Sequence, residues 1–576
     1  MPTRSDVRSA FMMNIKQTYE TDILVVGGGV AGLMAAIAAA GNGVRVLIAE
    51  KADTRRSGSG ASGNDHFRCY IPECHGPDVE RIVYEVLHFS QVGQCHDPHL
   101  TRVFLKRTEE IVRMWERWGI PMRPTGTWEF TGHAYPGRVR SGLKYDGKQQ
   151  KKIMTAEARK RGVVILNHHP VIELIRNGDH MAGAVALDVS REEPELCLIA
   201  ARHVILTTGC TTRLYNNMAT PGWMFNLAYC PSNAGGGIAQ AWRAGAKLVN
   251  LEMTSRHAGP KYFQRCGKGT WIGVLRYPDG RPLGPFVTKP DRECGDITSD
   301  VWNSSFTDVM RNGTGPAYMD CSQLSDDDYR YMMWGMESEG LKGMMNYMEE
   351  AGIDPRRHAV EFMQYEPFLI GRGLEINEHA QCSIPGLYAA GDLVGNFRAD
   401  IAGAAVFGWI AGEHSGANVR PAPVESAADL QDSPVVERVC RLCTEIMERK
   451  NGCPWKEGNL ALQQIMTDYA PSGPHTVRSA NLLNAGLKYL NDLRQVLLSS
   501  MGATCSHTLM RALETLDLID VGEALMYAAR ERRETRPPHN RADFPFTNPM
   551  LGELFLTIRK ENGSVVTEWR KKNTAR

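Results

Sequence analysis

Apolar residues of the 576-residue chain fall into runs of distinct period, and those runs predict its elements. Ile23–Val26 and Val44–Ala49 are short, rich in β-branched residues and, apart from Arg45, apolar throughout. That is the pattern of strands buried on both faces of a parallel sheet. Between them stand Gly27-Gly28-Gly29-Val30-Ala31-Gly32 and the helix-forming stretch Leu33–Ala40. A strand, a glycine turn, a helix and a second strand are therefore expected in succession. "HVILTTG", His203–Gly209, and "CSIPGLYAAGDLVGN", Cys382–Asn396, read as strands running into Thr208-Gly209 and Gly391-Asp392. Much later, "LLNAGLKYLNDLRQVLLSSM" has the apolar spacing of packed helices. "RPAPVESAADLQDSP", Arg420–Pro434, reads as a linker. No internal repeat interrupts this order.

Composition narrows the class. The chain is too long for one hydrophobic core, so two to four domains are expected. A net charge of +1 argues against a nucleic-acid partner. The N-terminal stretch lacks the apolar core of an export signal, and no apolar run is long enough for a membrane span, so a cytoplasmic location is expected. The 14 cysteines read as reduced thiols. Cys440, Cys443 and Cys453 cluster without a fourth ligand, and Cys440 and Cys443 share one face of an expected helix, which favours packing over an iron–sulfur site. Cys69, Cys74 and His75 match no common zinc spacing. No metal is predicted.

The glycine turn carries the chemistry. Gly27 permits the tight turn, Gly29 lets backbone approach a pyrophosphate, and Gly32 lets helix and strand pack closely. The helix N-terminus offers unpaired N–H groups to phosphate oxygens. Glu50, at the end of the second strand, is placed to take ribose hydroxyls. The glycine- and serine-rich loop that follows, within Lys51–Phe67, is not needed by NAD but is needed by a flavin reaching past the first unit. FAD is thus the expected nucleotide. No second unit of this kind is present to hold NAD(P)H, so electrons are expected from a partner protein, a quinone or a free carrier.

Gly27–Lys51, Thr208-Gly209, "NAGGGIAQAWRAGAKLVNLE" (Asn233–Glu252), "IPGLYAAGD" (Ile384–Asp392) and "RRETRPPHNRADFP" (Arg532–Pro545) occur in this order. Together they resemble the flavoprotein subunits of the succinate dehydrogenase/fumarate reductase family. "RRSG" at 55–58 and "EPFLIG" at 366–371 look closest to its adenylylsulfate reductase α-subunit branch. The resemblance implies an α/β fold, a Rossmann-like FAD-binding domain split in sequence, with an inserted α+β capping domain and a C-terminal helical domain. The expected division is an extension over 1–20, FAD-binding segments over 21–251 and 363–420, a cap over 252–362, a linker over 421–434, helices over 435–536 and a tail over 537–576. Its last stretch, "RKENGSVVTEWRKKNTAR" (Arg559–Arg576), is expected to be exposed or partner-binding, and Arg532–Pro545 is expected to be structural. Cofactor contacts are expected from Gly27, Gly29, Val30, Ala31, Gly32, Glu50, Lys51, Ser57, Gly58, Ala61, Ser62, Gly63, Asn64, Val171, Thr208, Gly209, Gly391, Asp392, Ala404, Ala405 and Val406. The family's covalent attachment histidine is replaced by Arg55-Arg56-Ser57-Gly58, with His66 further on, so FAD is expected to bind non-covalently. An iron–sulfur protein or similar carrier is the implied partner, and homo-oligomerisation stays open.

The family's dicarboxylate clamp is not intact. "LVNLEMTSRHAGP" (Leu248–Pro260) lacks the His-Pro-Thr motif but carries Arg256 and His257. The Arg-Gly-Glu-Gly-Gly segment is missing, with Arg276 nearby. Arg372 and Gly373 stand where the sulfur branch has a histidine, and a family arginine aligns with Asp400, two residues from Arg398. Arg256, His257, Arg372 and Arg398 are candidate groups for an anionic substrate, and Tyr365 is a candidate proton donor. Their competing readings are ion pairs for the arginines and core packing for Tyr365. The expected activity is two-electron FAD chemistry of the fumarate reductase/succinate dehydrogenase type on a small anionic substrate. The alternatives are an electron-relay subunit of a redox complex and an adenylylsulfate reductase-like enzyme of sulfur oxoanions.

Overall fold

β1, Ile15–Val26, changes character halfway along: its first six residues alternate in exposure and its last six are buried. The computed structural model describes residues 13–575 apart from 62, 90–92, 131–136, 218–223, 225–226, 262–269, 294 and 420–424. Within it, the N-terminal extension drawn to residue 20 is corrected, because Ile15–Glu20 already pair with the strand Glu195–Leu206. The alternating half of β1 hid this pairing, since one of its faces meets water.

After β1 come helix α1 (Val30–Ala40) and strand β2 (Val46–Glu50), with Ile23 to Val26 in parallel register with Val46 to Ala49. The sheet runs in the order Val164–Asn167, β2, β1, Glu195–Leu206, His180–Asp188, Val171–Asn177, and Leu387–Ala389 joins the far half of Glu195–Leu206 in parallel. Segments some 180 residues apart therefore meet on one interior strand of the sheet. The long helix Asp400–Ala417 crosses α1 at close range. A Cβ on Gly408 or Gly412 would lie 2.4 Å or 2.0 Å from the carbonyl oxygens of Ala31 and Ala35. Glycine at these positions is a packing requirement.

A second, separate core belongs to the inserted region. Its antiparallel sheet runs Ala258–Pro260, Val360–Gln364, Ala317–Asp320, Val274–Arg276, and buries Trp271, Met319, Met336 and Phe362 against helices. The C-terminal helices Pro434–Glu448, Trp455–Tyr469, Ala480–Ser500 and Ser506–Glu531 share one continuous core with the first sheet. Cys440 and Cys443 are buried on one helix and pack in that core. Part of the expected linker is instead the capped helix Ala427–Gln431, where Ser426 and Asp429 form a reciprocal capping box.

Leu554–Glu561 and Ser564–Lys571 form a hairpin that joins Leu248–Val249 and Gly373–Leu374 in a four-stranded sheet, burying Phe555, Leu556 and Ile558. Just before it, Arg532–Pro545 folds into a buried ionic knot. Arg532 donates to Glu252 and Glu534 at 2.6 and 2.9 Å, and Arg541 donates to Asp543 at 2.8 Å. His539 is buried beside Arg478, and burial with that neighbouring charge pushes its pKa well below the usual histidine value.

Candidate active site

The glycine turn has the geometry that its residues predict. Gly27 sits at φ +98°, where a Cβ would lie 2.7 Å from the Thr207 carbonyl oxygen. A Cβ on Gly32 would lie 1.9 Å from the Gly27 carbonyl oxygen, so this glycine serves helix packing and does not line the cavity. Gly29 is the N-cap of α1, with no side chain capping the helix, and a Cβ there would meet no protein atom within 4 Å. An open helix N-terminus of this kind cradles an anion. Glu50 accepts the N–H groups of Gly28 and Ala52 at 2.5 and 2.7 Å, which fixes its carboxylate at the rim.

The turn opens into a cavity of about 850 Å³. Val30, Ala31, Lys51, Ser57, Gly58, Ala61, Gly63, Asn64, Val171, Thr208, Gly209, Gly391, Asp392 and Ala404 line it, as do Gly27, Gly29 and Glu50. Ala405 and Val406 do not: both are buried on the helix Asp400–Ala417, and this corrects their assignment. Ser62 lies outside the described residues.

Sequence reasoning missed one wall. His507, Met510, Arg511, Glu514 and Asp517, from the first turns of Ser506–Glu531, face the cavity across from Lys51. Lys51 donates to Glu514 at 2.6 Å, as do Arg213 at 2.6 Å and Arg511 at 2.8 Å. Burial alone would raise the Glu514 carboxyl, but these three cations outweigh it and hold it at about 2. No motif marks this wall, because its residues are brought in from the C-terminal helices by packing. The Arg511–Glu514 spacing of three was the one local hint.

A second group of side chains gathers where the inserted region meets the flavin sheet. Arg398 and His257 line the cavity, together with Tyr229, Asp400, His66 and Glu339. Arg398 donates through Nε and Nη2 to Asp400 at 3.0 and 2.7 Å. Burial opposes both charges, yet the pair holds Asp400 well below the carboxylate range and raises Arg398. His257 donates Nδ1–H to the Ala258 carbonyl at 2.7 Å, leaving Nε2 as its accepting nitrogen. The Tyr229 and His257 rings meet edge to face at 6.1 Å.

Three catalytic candidates are corrected, since they do not line the cavity. Arg372 is buried and spends its guanidinium on the carbonyls of Met253 and Gly371. Arg256 donates to the Ser472 carbonyl at 2.7 Å, and burial lowers its pKa to about 10. Tyr365 is a core residue whose hydroxyl donates to the Pro260 carbonyl at 2.7 Å. Each lies in a loop beside the cavity, and only the direction of its side chain, which spacing does not reveal, turns it away.

A dinucleotide turn, an acid at the second strand's end and a long glycine-lined cavity define a flavin-dependent oxidoreductase. The FAD binding domain family matches residues 22–403, and the fumarate reductase flavoprotein C-terminal family matches residues 459–574. The chain belongs to this family of fumarate reductase/succinate dehydrogenase-type flavoproteins, and its cofactor is FAD. It is 24% identical to a subunit of the fumarate reductase (CoM/CoB) of Methanothermobacter marburgensis, covering 94% of this chain and 98% of that one. It is 22% identical to an L-aspartate oxidase of Vibrio cholerae, covering 95% and 100%. Among solved structures, adenylylsulfate reductase from Archaeoglobus fulgidus superposes with a TM-score of 0.80 at 22% identity, covering 98% of this chain and 97% of that one. E. coli quinol fumarate reductase superposes with a TM-score of 0.76 at 19% identity, covering 97% of each. At these identities the structural likeness establishes the fold.

The residues present fit FAD. The empty side of Gly29, the uncapped N-terminus of α1 and the fixed Glu50 suit a pyrophosphate and a ribose. Bound there, FAD supplies two-electron redox chemistry. Residues after β1 and on Ser506–Glu531 would hold it, and the separately cored inserted region contributes His257 and Glu339 to the same cavity.

Proposed function

We propose that this flavoprotein reduces or oxidises a small anionic substrate, exchanging electrons with an iron–sulfur protein or another external carrier in the cytoplasm. One observation carries the reading: Arg398 and His257, the latter from the inserted region, line the same cavity as the dinucleotide turn. An arginine there suits a carboxylate or oxoanion, and an imidazole in a fixed tautomer suits an oriented polar group. A cap with its own core favours a substrate enzyme over a relay, because electron exchange between proteins needs no lid. The cytoplasmic placement is supported by the thiol state of all twelve described cysteines. No helix among the described residues is long and apolar enough to cross a membrane.

The test is anaerobic. The flavin of the purified holoprotein is reduced, and its absorbance is followed on separate addition of fumarate, other enoates, sulfite and adenylylsulfate. Reoxidation by one enoate establishes hydride transfer to an activated double bond. A response to the sulfur compounds alone assigns oxoanion chemistry. Silence toward all, with rapid exchange to an iron–sulfur protein, overturns the substrate reading in favour of a relay.

A further inference from the structure

The loop that follows the second strand ends in a side-chain cluster that neither the family motifs nor the expected clamp includes. Strand β3, His66–Arg68, pairs antiparallel with Gly142–Lys144, so that His66 stands opposite Lys144. Asp65, 1% exposed, binds both: one carboxylate oxygen accepts His66 Nδ1–H at 2.7 Å, and the other accepts the Lys144 ammonium at 2.9 Å. His66 itself lines the cavity, three residues beyond Gly63 of the flavin loop. Ligand atoms of Asp65, His66 and Glu339 fall within 4.8 Å of one another, a grouping that also invites a metal reading. Lys144 argues against it, since an ammonium on Asp65 repels a cation and both Asp65 oxygens are engaged.

We infer that His66 is an acid–base residue of this cavity, with Asp65 as its positioning residue. The inference rests on the substrate reading above. A carboxylate on Nδ1–H fixes the tautomer and makes Nε2 the nitrogen that exchanges a proton, the logic of histidine–carboxylate pairs in general. Lys144 pairs with Asp65 and tethers it at a depth where an isolated carboxylate is costly. The remaining charged groups around His66 are Glu339 from the inserted region, Arg68 on its own strand, and Asp400, which is paired with Arg398. In the reducing direction, the substrate accepts an electron pair with one hydrogen, as hydride, at one atom. The proton on Nε2 bonds to the neighbouring atom. The substrate is reduced by two electrons, supplied through FAD by the external carrier. His66 is left neutral and regains its proton from solvent. The oxidising direction runs in reverse, with neutral His66 accepting the proton.

The experiment uses holoprotein and two variants, His66→Gln and the double variant Asp65→Asn/Lys144→Met, the second made double so that no buried ammonium is left unpaired. FAD affinity, measured by fluorescence on the apoprotein, is expected to stay within about threefold in both. Two readouts then decide. Reoxidation of reduced flavin by whichever acceptor wild type uses is expected to fall about 100-fold or more in His66→Gln, the usual span for loss of an acid–base group. In the double variant, which keeps His66 but frees its tautomer, the rate is expected to fall to an intermediate value with the acceptor KM unchanged. The second readout needs no substrate: the flavin reduction potential is measured against pH. A proton on His66 linked to flavin charge produces a change of slope in wild type that His66→Gln abolishes. If no acceptor reoxidises wild type but this change of slope is lost in the variant, the substrate reading falls, and what stands is the proton linkage of His66 to the flavin. Turnover within about threefold of wild type in His66→Gln, or an identical slope profile in both proteins, overturns the assignment.

Discussion

Arg398 binds Asp400 through Nε and Nη2 at 3.0 and 2.7 Å, and the pair lines the cavity. Asp400 stands at φ +47°, a left-handed conformation that aspartate and asparagine tolerate better than most residues. Its side chain is half exposed, but to the cavity, because Asp400 is a lining residue. Asp400→Asn therefore keeps the backbone and releases the arginine. Affinity for a small dianion such as malonate, read from the flavin spectrum, is expected to rise roughly tenfold, a change of about 1.4 kcal/mol. Arg398→Met is expected to lose that binding. An unchanged affinity in both variants removes Arg398 from substrate recognition.

Gly29 and Gly32 separate ligand binding from folding. A Cβ on Gly29 touches nothing in the protein, so Gly29→Ala is expected to fold with wild-type stability and to bind FAD at least about tenfold more weakly. A Cβ on Gly32 collides with the Gly27 carbonyl, so Gly32→Ala is expected to lower the melting temperature of the apoprotein. Thermal melts without FAD, paired with flavin titrations, check both.

Glu514 anchors three cations at the rim. Its folded pKa of about 2 lies below the ordinary 4.5, so the stability it contributes is present above pH 4.5 and is lost as pH falls through about 2. Glu514→Gln leaves Lys51, Arg213 and Arg511 without their shared partner. It is expected to cost about 3–5 kcal/mol at neutral pH and to weaken FAD binding. Urea denaturation at pH 7 and pH 3 tests the sign: the gap between variant and wild type narrows at the lower pH.

Glu366 has the opposite dependence. Burial raises it to about 8, against the lowering pull of its own and Ala228 backbone N–H groups and of Arg256. Its stability contribution is complete below pH 4.5 and is lost as pH rises through about 8. Wild type is expected to lose up to a few kcal/mol across that window, at about 1.4 kcal/mol for each pH unit crossed. Glu366→Gln is expected to flatten the loss. Equal slopes in the two proteins between pH 5 and pH 9 rule out Glu366 as the titrating group.

Non-covalent attachment is the expectation at Arg55–Gly58, where no histidine occurs. Acid precipitation of the holoprotein is expected to release the flavin into the supernatant. Flavin retained in the pellet points to a covalent bond, and peptide mapping identifies the residue.

The dinucleotide turn was legible in the linear sequence because its chemistry is local. Glycines at 27, 29 and 32, an apolar run on each side and Glu50 at the second strand's end impose their geometry over about 30 contiguous residues. The order of the distant motifs was legible too, since each carries its own backbone signature, and with it the family and FAD. Three things required tertiary structure. The Lys51–Glu514 rim joins residues 463 apart, and no periodicity announces a contact that helix packing alone creates. Arg256, Arg372 and Tyr365 were in suitable loops but turn toward backbone carbonyls, a choice made by the surrounding core. Asp65, His66 and Lys144 meet because two three-residue strands pair, too short for any hydrophobic pattern to reveal. Local backbone chemistry thus determined the dinucleotide turn, whereas the direction of buried polar side chains decided which residues line the cavity.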